Sequence, residues 1–568
     1  MTNPSQPLSQ PLAQLDPITV EVVRHKLDGI ANEMESTLLR SSFSPIVKEG
    51  MDASASLFTV AGETLSQACA VPIHLATLIP IVERLLVEFP LAEMKEGDVF
   101  VMNDPYLGGT HLPDIAIVVP VMYRGRPIAL SATMTHHQDV GGMTPGSIPT
   151  NATEIFQEGI RIPPLKLRDA GVMNDTLVKM LRLNVRIPDV LMGDLNAQIA
   201  ACTIGARRIA ALADAYGDNL LATIFQELLE KSEAMTREAL RAIPDGTYRY
   251  VDHMDNDGIE LDRRIRVEVA VTVKDGAIHC DFTGTSRQLK GPFNVVRSGS
   301  QAAAYFAVRA LTDPSIPTNA GCFRPVSLHL PEGTLVNPKE PAPVGSRTAT
   351  IKRIAGCIIG AFQKALPERV PADSGGELLT LAFGGRKPDG SGNFVVGELI
   401  AGGSGAAMRS DGVDVVETDA SNCMNLPAEA LEMEAPVRVR QVALRRDSGG
   451  AGRRRGGLGL VKEFEMLEVE ATLTHRGERH FCPAAGAQGG LAGAPARSVI
   501  LRADGSEEVV PSKLVTVLKP GDRLLVETAG GGGYGHPGER ERDLVAADIA
   551  DGKVSAEEAA RLYGTAAE

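Results

Sequence analysis

Histidine and aspartate side chains that suit metal chemistry are concentrated in one stretch of this sequence, between residues 103 and 139. A glycine-rich loop in this stretch ends in His111 and Asp114, and His136-His137 lies near its close. Imidazole nitrogens and carboxylate oxygens together suit Zn, Mn or Fe(II). An open position on such an ion can bind a water or a substrate oxygen. The stretch is therefore a candidate metal site.

The elements around these residues predict a β-hairpin that brings two of them together. Two strand-like segments flank a turn at Arg124–Arg126. Antiparallel pairing about this turn places Asp114 opposite His136, to within one residue, and directly opposed residues lie about 4.5–5.5 Å apart. The side chain of His137 would then point to the opposite face of the strand. The alternative is that the histidines are simply hydrogen-bonded at a strand end, with Asp114 as a turn residue.

The rest of the chain predicts an α+β fold with several domains, because a single core seldom exceeds about 250–300 residues. Asp16-Pro17 begins a helix, since Asp is a good N-cap and Pro fits the first turn. A second helix is expected from about Leu75 to Phe89, and residues 174–243 predict two or three packed helices. We expect three regions: an N-terminal mixed α/β metal-binding domain with a helical segment (1–244), a β-rich region with inserted helices (245–536) and a helical tail (537–568).

Glycine and arginine cluster in the β-rich region without forming a nucleotide motif. The runs Gly456–Gly459 and Gly530–Gly535 have no βαβ unit around them, so tight loops or close approaches of the backbone are expected. The run Arg453–Arg455 predicts a solvated loop. The loops at Leu107–Thr110 and Asp139–Met143 resemble phosphate-binding turns only weakly, and we predict no ATP binding and no cofactor-binding residues in this chain.

Composition excludes several classes of protein. The net charge of −14 argues against a nucleic-acid surface, which needs clustered Lys and Arg. The N-terminus has no secretory signal, and the longest apolar run is far shorter than the about 20 residues of a membrane span. Seven cysteines without a CxxC motif predict buried, reduced thiols. We therefore expect a soluble cytoplasmic protein that contacts neither membrane nor nucleic acid.

Several ordered motifs give the chain a resemblance to the hydantoinase B/oxoprolinase family over nearly its whole length. The motifs are Ser44–Asp52, Asn103–Asp114, Glu158–Pro164, Asn319–Pro325, Val344–Thr348, Asp447–Gly450 and Gly530–Pro537. The resemblance implies one subunit of an ATP-dependent enzyme that opens a small cyclic amide such as hydantoin, 5-oxoproline or a lactam. An A-type ATPase subunit would phosphorylate the substrate, in a hetero-oligomer such as A2B2. This chain resembles only the B-type half.

The resemblance also implies one divalent metal, Zn, Mn or Fe, held by His111, Asp114 and His136. In the amidohydrolase branch it adds Asp52, which the sequence alone leaves as an ordinary turn carboxylate. Nearby candidates for orienting these ligands or moving protons are Glu49, His137 and Asp139, among which the sequence does not choose. Two alternatives stay open: the corresponding subunit of an ATP-dependent acetone or acetophenone carboxylase, and a non-catalytic structural subunit.

Overall fold

A seven-stranded antiparallel sheet forms the centre of the N-terminal region. The structure, a computed structural model, describes residues 15–68, 71–74, 76–376 and 378–564. The strands are β1 (Ala53–Phe58), β2 (Thr64–Gln67), β3 (Val99–Met102), β4 (Asp114–Tyr123), β5 (Arg126–His136), β6 (Leu165–Asp169) and β7 (Val172–Met173). They are arranged in the order β2-β1-β5-β4-β3-β6-β7. Strands β1, β5 and β4 are therefore neighbours, which matters for the site described below.

Six helices accompany this sheet, and most match the sequence prediction. They are α1 (Pro17–Ser41), α2 (Pro45–Lys48), α3 (Leu78–Glu88), α4 (Asp175–Asn184), α5 (Pro188–Tyr216) and α6 (Asp218–Arg241). Helix α1 begins as predicted, because the Asp16 carboxylate accepts hydrogen bonds from the amides of Ile18 and Thr19. The second predicted helix begins three residues later than expected. The first residue of that prediction, Leu75, lies outside the described residues.

A second, four-stranded sheet follows α6. Its strands are β8 (Gly246–Met254), β9 (Ile265–Lys274), β10 (Ala277–Asp281) and β11 (Val326–His329), in the order β11-β10-β9-β8. Helices α7 (Arg297–Leu311) and α8 (Arg347–Ala361) pack together, and α8 lies against β8 and β9. One hydrophobic core contains Leu27 of α1 and Ile354 of α8. The division at residue 244 stays a prediction.

Two further sheets and three short helices complete the chain. The strands are β12 (Leu379–Arg386), β13 (Asn393–Ile400), β14 (Val437–Leu444), β15 (Leu460–Met466), β16 (Ala471–Arg476), β17 (Arg497–Leu501), β18 (Glu507–Val509), β19 (Lys513–Leu518) and β20 (Arg523–Glu527). They form sheets of order β13-β12-β16-β19 and β14-β15-β20-β17-β18. The helices are α9 (Ala428–Glu434), α10 (Arg542–Ala550) and α11 (Ala556–Tyr563). The α+β class and the C-terminal helical tail are confirmed.

Glycine-rich segments of the β-rich region pack backbone against backbone. The amide of Gly531 donates to the Gly457 carbonyl (3.0 Å), and the amide of Gly457 donates to the Ser404 carbonyl (2.8 Å). A Cβ atom at Gly531 would lie 1.9 Å from the Ser404 carbonyl oxygen, closer than any side chain tolerates. The expected close approach of backbones is therefore confirmed, and glycine is the residue that permits it.

The structure corrects one minor expectation and supports two others. Arg455 is buried and ion-paired with Asp414 and Asp548, so the predicted solvated loop is wrong at this residue, because local carboxylates compensate its charge. The described cysteines are unpaired thiols, buried except for the partly buried Cys482, while Cys69 lies outside the described residues. In the described part of the chain, no helix is both long and apolar enough to cross a membrane.

Candidate metal centre

Three acidic or imidazole side chains lie at one end of three neighbouring strands. Asp114 begins β4 and pairs directly with His136 at the end of β5, so the predicted register is confirmed. On the other side of β5, Ala53 of β1 pairs with Thr135. Asp52, just before β1, accepts a hydrogen bond on its carbonyl from the His136 amide (3.1 Å). The sheet therefore brings Asp52, His136 and Asp114 to a common edge.

His111 reaches this edge from the glycine-rich loop that precedes β4. Its Nε2 lies 3.0 Å from Oδ1 of Asp114, and its ring centroid lies 5.0 Å from that of His136. Its Nδ1 lies 2.8 Å from the carbonyl oxygen of Gly345. Since a carbonyl can only accept, Nδ1 carries the proton. In the neutral imidazole, Nε2 then directs its lone pair at the Asp114 carboxylate.

A third histidine, His74, joins the group. It ends a short 3-10 helix (Pro72–His74) that precedes α3, and it is buried. Its Nε2 lies 3.7 Å from both Oδ1 of Asp52 and Oδ2 of Asp114. Neither ring nitrogen has a hydrogen-bond partner within the described residues. Buried polar atoms rarely remain without a hydrogen-bond partner. We therefore expect the ring nitrogens of His74 to contact a bound group.

The loop before α8, together with the first residue of that helix, contacts both Asp114 and His111. Arg347, the first residue of α8, forms a buried ion pair with Oδ2 of Asp114, which also accepts a hydrogen bond from Thr110. The same loop supplies the Gly345 carbonyl to His111. Both oxygens of buried Glu158 accept backbone amides of this loop, from Val344 (3.0 Å) and Gly345 (2.7 Å). Glu158 thereby fixes the loop that orients His111.

Burial and neighbouring charges favour the protonation states that metal ligands need at the histidines and at Asp114, but not at Asp52. Burial lowers the pKa of His74 to about 4, and burial and His111 lower the pKa of His136 well below its usual range. Although burial acts to raise it, the Arg347 guanidinium holds the pKa of Asp114 well below its usual range. Burial and the nearby Asp114 raise the pKa of Asp52 to about 7. The imidazoles are therefore neutral, and Asp114 is a carboxylate.

The types of side chain suit a divalent metal, although their atoms do not surround one common position. Within the described residues, no three His, Cys, Asp or Glu side chains have the geometry of a bound metal site. Two observations nevertheless match a cation. The lone pair of His111 Nε2 and an oxygen of Asp114 face each other at 3.0 Å. His74 and Nδ1 of His136 are buried without hydrogen-bond partners among the described residues. A shared cation would satisfy these groups.

These side chains line an enclosed pocket with a cavity volume of about 40 Å³. Asp52, His74, His111 and His136 contribute the polar part of its lining, together with two arginines, Arg347 and Arg476. The apolar part of the lining comes from Ile46, Ile73, Ile148, Leu378, Ala382 and Leu399. The pocket thus combines candidate metal ligands, cationic groups and an apolar surface that can accept a small carbon skeleton.

Comparison with known proteins identifies the family. A sequence model described as "Hydantoinase B/oxoprolinase" matches residues 16–537. The chain belongs to the hydantoinase B/oxoprolinase family. The B-type subunit of a putative D-/L-hydantoinase from a Pseudomonas strain is 33% identical, over 97% of this chain and 95% of that protein.

Solved structures extend the comparison. The crystal structure of an ATP-dependent caprolactamase from Pseudomonas jessenii superposes with a TM-score of 0.90 at 32% identity, covering 98% of this chain and 97% of the other. An acetone carboxylase, solved without nucleotide, also has a TM-score of 0.90, covering 97% of this chain and 80% of the other. Its identity is only 21%, so this second likeness shows the fold alone.

Three further candidates from the sequence are not among the residues that line the pocket: His137, Asp139 and Glu49. His137 follows the last residue of β5, and its Nε2 contacts Oε1 of Gln198 on α5 (3.0 Å). Asp139 accepts the amides of Gly141 (3.0 Å) and Gly146 (3.1 Å) and pairs with Arg186, so it fixes a loop. Glu49 is the half-buried C-cap of α2. Their proposed roles in proton transfer stay predictions.

Sequence reasoning missed His74, Arg347 and Arg476. The tripeptide Pro72-Ile73-His74 contains no ligand spacing, and a lone histidine is more often a structural residue. Arg347 lies in a family motif, Val344–Thr348, to which the sequence assigned no role. Arg476 ends a strand in the third sheet, more than 300 residues from the metal-site hairpin. Only the packing of the sheets brings these residues together.

Proposed function

We propose that this chain is the metal-binding B-type subunit of an ATP-dependent amidohydrolase that opens a cyclic amide. The observation that supports this most directly is the convergence of Asp52, His111 and His136 on one buried pocket of a hydantoinase B/oxoprolinase family member, with Asp114 against His111 (3.0 Å). The four residues would hold one Zn, Mn or Fe ion, and His74 would be a further ligand or would hold a bound water.

The reaction explains why such a pocket would be needed. An amide is a poor electrophile because its carbonyl is stabilised by resonance. Phosphorylation of the oxygen by an A-type ATPase subunit, with ADP as the other product, would give a reactive derivative. Water would add to its carbon, and cleavage of the ring C–N bond would leave the amine and an acyl phosphate. A second water would release the phosphate and leave the carboxylate. A bound divalent ion supplies Lewis acidity and lowers the pKa of a water. The chain itself orients His111 through Gly345, holds Asp114 through Arg347, and excludes bulk water by burial.

A partner subunit is part of this proposal. The name of the hydantoinase relative makes it one subunit of a larger enzyme, and the caprolactamase relative is named as ATP-dependent. An activated phosphate derivative would be lost to water if it were released, so the two active sites should be closely apposed. We therefore propose a permanent cytoplasmic hetero-oligomer such as A2B2, with an interface above about 2,000 Å².

The test is to co-express the chain with an A-type ATPase subunit and to assay the purified complex. Ring opening of hydantoin, 5-oxoproline and a lactam is measured with and without ATP, and metal content is measured by mass spectrometry. We expect about one metal ion per chain and turnover only with ATP and partner. Asp114→Asn should assemble normally, as judged by size-exclusion chromatography, but should not open the ring.

A His111→Ala/His136→Ala double variant should lose both metal and activity. The matched control is His475→Ala. His475 is equally buried but does not line the pocket, and both of its nitrogens are hydrogen-bonded, to Ser512 O and Ser498 Oγ, each at 2.9 Å. It should lose stability and keep the metal. Full metal content in the double variant, or hydrolysis by the lone chain without ATP, would refute the proposal.

The same complex tests the two alternatives. Consumption of bicarbonate with acetone or acetophenone, in place of cyclic-amide hydrolysis, would assign the chain to a ketone carboxylase. A complex that is active although this chain binds no metal would assign it a structural role.

A further inference from the structure

Two buried arginines share the pocket with the candidate metal ligands. The side chain of Arg347 is 2% exposed, and Arg476 as a residue is 5% exposed. Arg347 uses one guanidinium nitrogen on Asp114 and another on the Thr348 hydroxyl (2.9 Å). Its Nε has no hydrogen-bond partner within the described residues. The Arg347 guanidinium therefore has hydrogen-bond donors that Asp114 does not use.

Arg476 is the less satisfied of the two. It pairs with Thr380 across strands β16 and β12, and its Nη2 donates to the Thr380 hydroxyl (2.5 Å). Its Nε is buried without a partner, and no ion pair to it is found among the described residues. Burial and repulsion from Arg347 lower the pKa of Arg476 to about 10. Asp52, Glu417 and Glu478 are near enough to favour its charged form, yet none of them forms an ion pair with it within the described residues. Buried guanidinium groups usually have such a carboxylate partner.

We propose that Arg476, with Arg347, forms an oxyanion site that holds the phosphoryl group of the activated cyclic amide beside the metal ligands. This inference rests on the proposed function and names the ligand chemistry of its pocket. The planar guanidinium fork matches phosphate oxygens and can donate two hydrogen bonds to them. The hydroxyls of Thr348 and Thr380 border the two arginines.

The composition of the pocket agrees with a substrate that has one anionic end and one apolar end. The arginines and candidate metal ligands that line the pocket are accompanied there by isoleucine and leucine side chains. The neutral ring of a cyclic amide would contact these apolar side chains. Arg347 is already ion-paired with Asp114, whereas Arg476 would gain an ion pair only when the substrate is phosphorylated. The site would therefore select the activated substrate over the unmodified amide.

The test measures binding of inorganic phosphate to the chelator-treated full-length chain by calorimetry, so that no metal contributes to the signal. We expect one phosphate per chain and a loss of affinity of at least ten-fold in Arg476→Met. The melting temperature of Arg476→Met without phosphate should equal or exceed that of the wild type, because burial and Arg347 outweigh the nearby carboxylates and disfavour the charge that is removed. A structural arginine would show the opposite change in melting temperature.

The matched control is Arg540→Gln. Arg540 is also buried, but both of its terminal nitrogens are ion-paired, with Asp411 (2.8 Å) and Asp548 (2.7 Å), away from the pocket lining. This variant should melt at a lower temperature and bind phosphate as the wild type does. Acetate serves as a carboxylate probe and should bind at least ten-fold more weakly than phosphate.

Three results would overturn the inference: no phosphate binding by the wild type, unchanged phosphate affinity in Arg476→Met, or acetate binding as tight as that of phosphate. The measurement uses neither the partner nor turnover. Failure of the oxyanion site therefore appears as a binding result, whereas failure of the proposed hydrolase appears only in the assay of the complex.

Discussion

Glu158 allows a direct test of how His111 is oriented, because it contacts the loop that accepts the hydrogen bond of His111. Its two oxygens accept the Val344 and Gly345 amides at 3.0 and 2.7 Å, and the Gly345 carbonyl accepts Nδ1–H of His111 at 2.8 Å. Burial raises the pKa of Glu158 to about 8, yet both oxygens can accept in either protonation state. In Glu158→Gln, the amide nitrogen cannot accept, so one backbone N–H is left facing a donor.

The expected magnitudes follow from these contacts. A buried donor without an acceptor costs about 1–3 kcal/mol of folding free energy. The loop would also hold the Gly345 carbonyl less firmly, and loss of a group that orients a metal ligand typically weakens metal binding by about 10–100-fold. We therefore expect Glu158→Gln to lower both the melting temperature and the affinity of the full-length chain for Zn or Mn.

Metal affinity is measured by competition with a chromogenic chelator, and the melting temperature by calorimetry. The matched control is Glu35→Gln, which replaces a buried glutamate of α1 that does not line the pocket. Its metal affinity should equal that of the wild type. If Glu158→Gln melts earlier but binds metal within two-fold of the wild type, Glu158 only stabilises the fold. The link through Gly345 to His111 would then be wrong.

Three further predictions concern nucleotide binding, backbone packing and pH. The isolated chain should show no calorimetric binding of ATP at millimolar concentration, because Asp139 already occupies the Gly141 amide in the loop that resembles a phosphate-binding turn; tight stoichiometric binding would contradict this. Gly531→Ala should lose about 1–3 kcal/mol of folding free energy or more, since its Cβ would meet the Ser404 carbonyl at 1.9 Å, whereas Gly356→Ala in α8, with no atom within 4 Å, should be neutral or stabilising; equal melting temperatures would refute the packing argument. Burial raises the pKa of Glu35 to about 7, so the folded state favours its protonated form, and the wild type loses stability as pH rises from the unfolded value of 4.5 through 7. Glu35→Gln should therefore gain up to about 3 kcal/mol over the wild type at pH 8 and little at pH 5, and melting curves with the same difference at both pH values would contradict this.

The sequence by itself determined the local elements and part of the candidate site. The first helix begins at its predicted cap, because Asp16 and Pro17 act on their own neighbours. The Asp114–His136 pairing is also local, since a tight turn between two strands leaves little freedom of register. Asp52 was predicted only by family resemblance, because its approach depends on pairing between β1 and β5, which are far apart along the chain.

Tertiary structure decided the remainder, for reasons of distance and context. His74, Arg347 and Arg476 come from a 3-10 helix, the start of α8 and the end of β16, and no short-range pattern links them to the hairpin. Each is an ordinary residue in its own segment. Among the described residues, the ring nitrogens of His74 and Nε of Arg476 have no hydrogen-bond partner, and this becomes informative only after folding has excluded water from them. Likewise, the burial of Arg455 depends on carboxylates at Asp414 and Asp548 that only the folded chain brings to it.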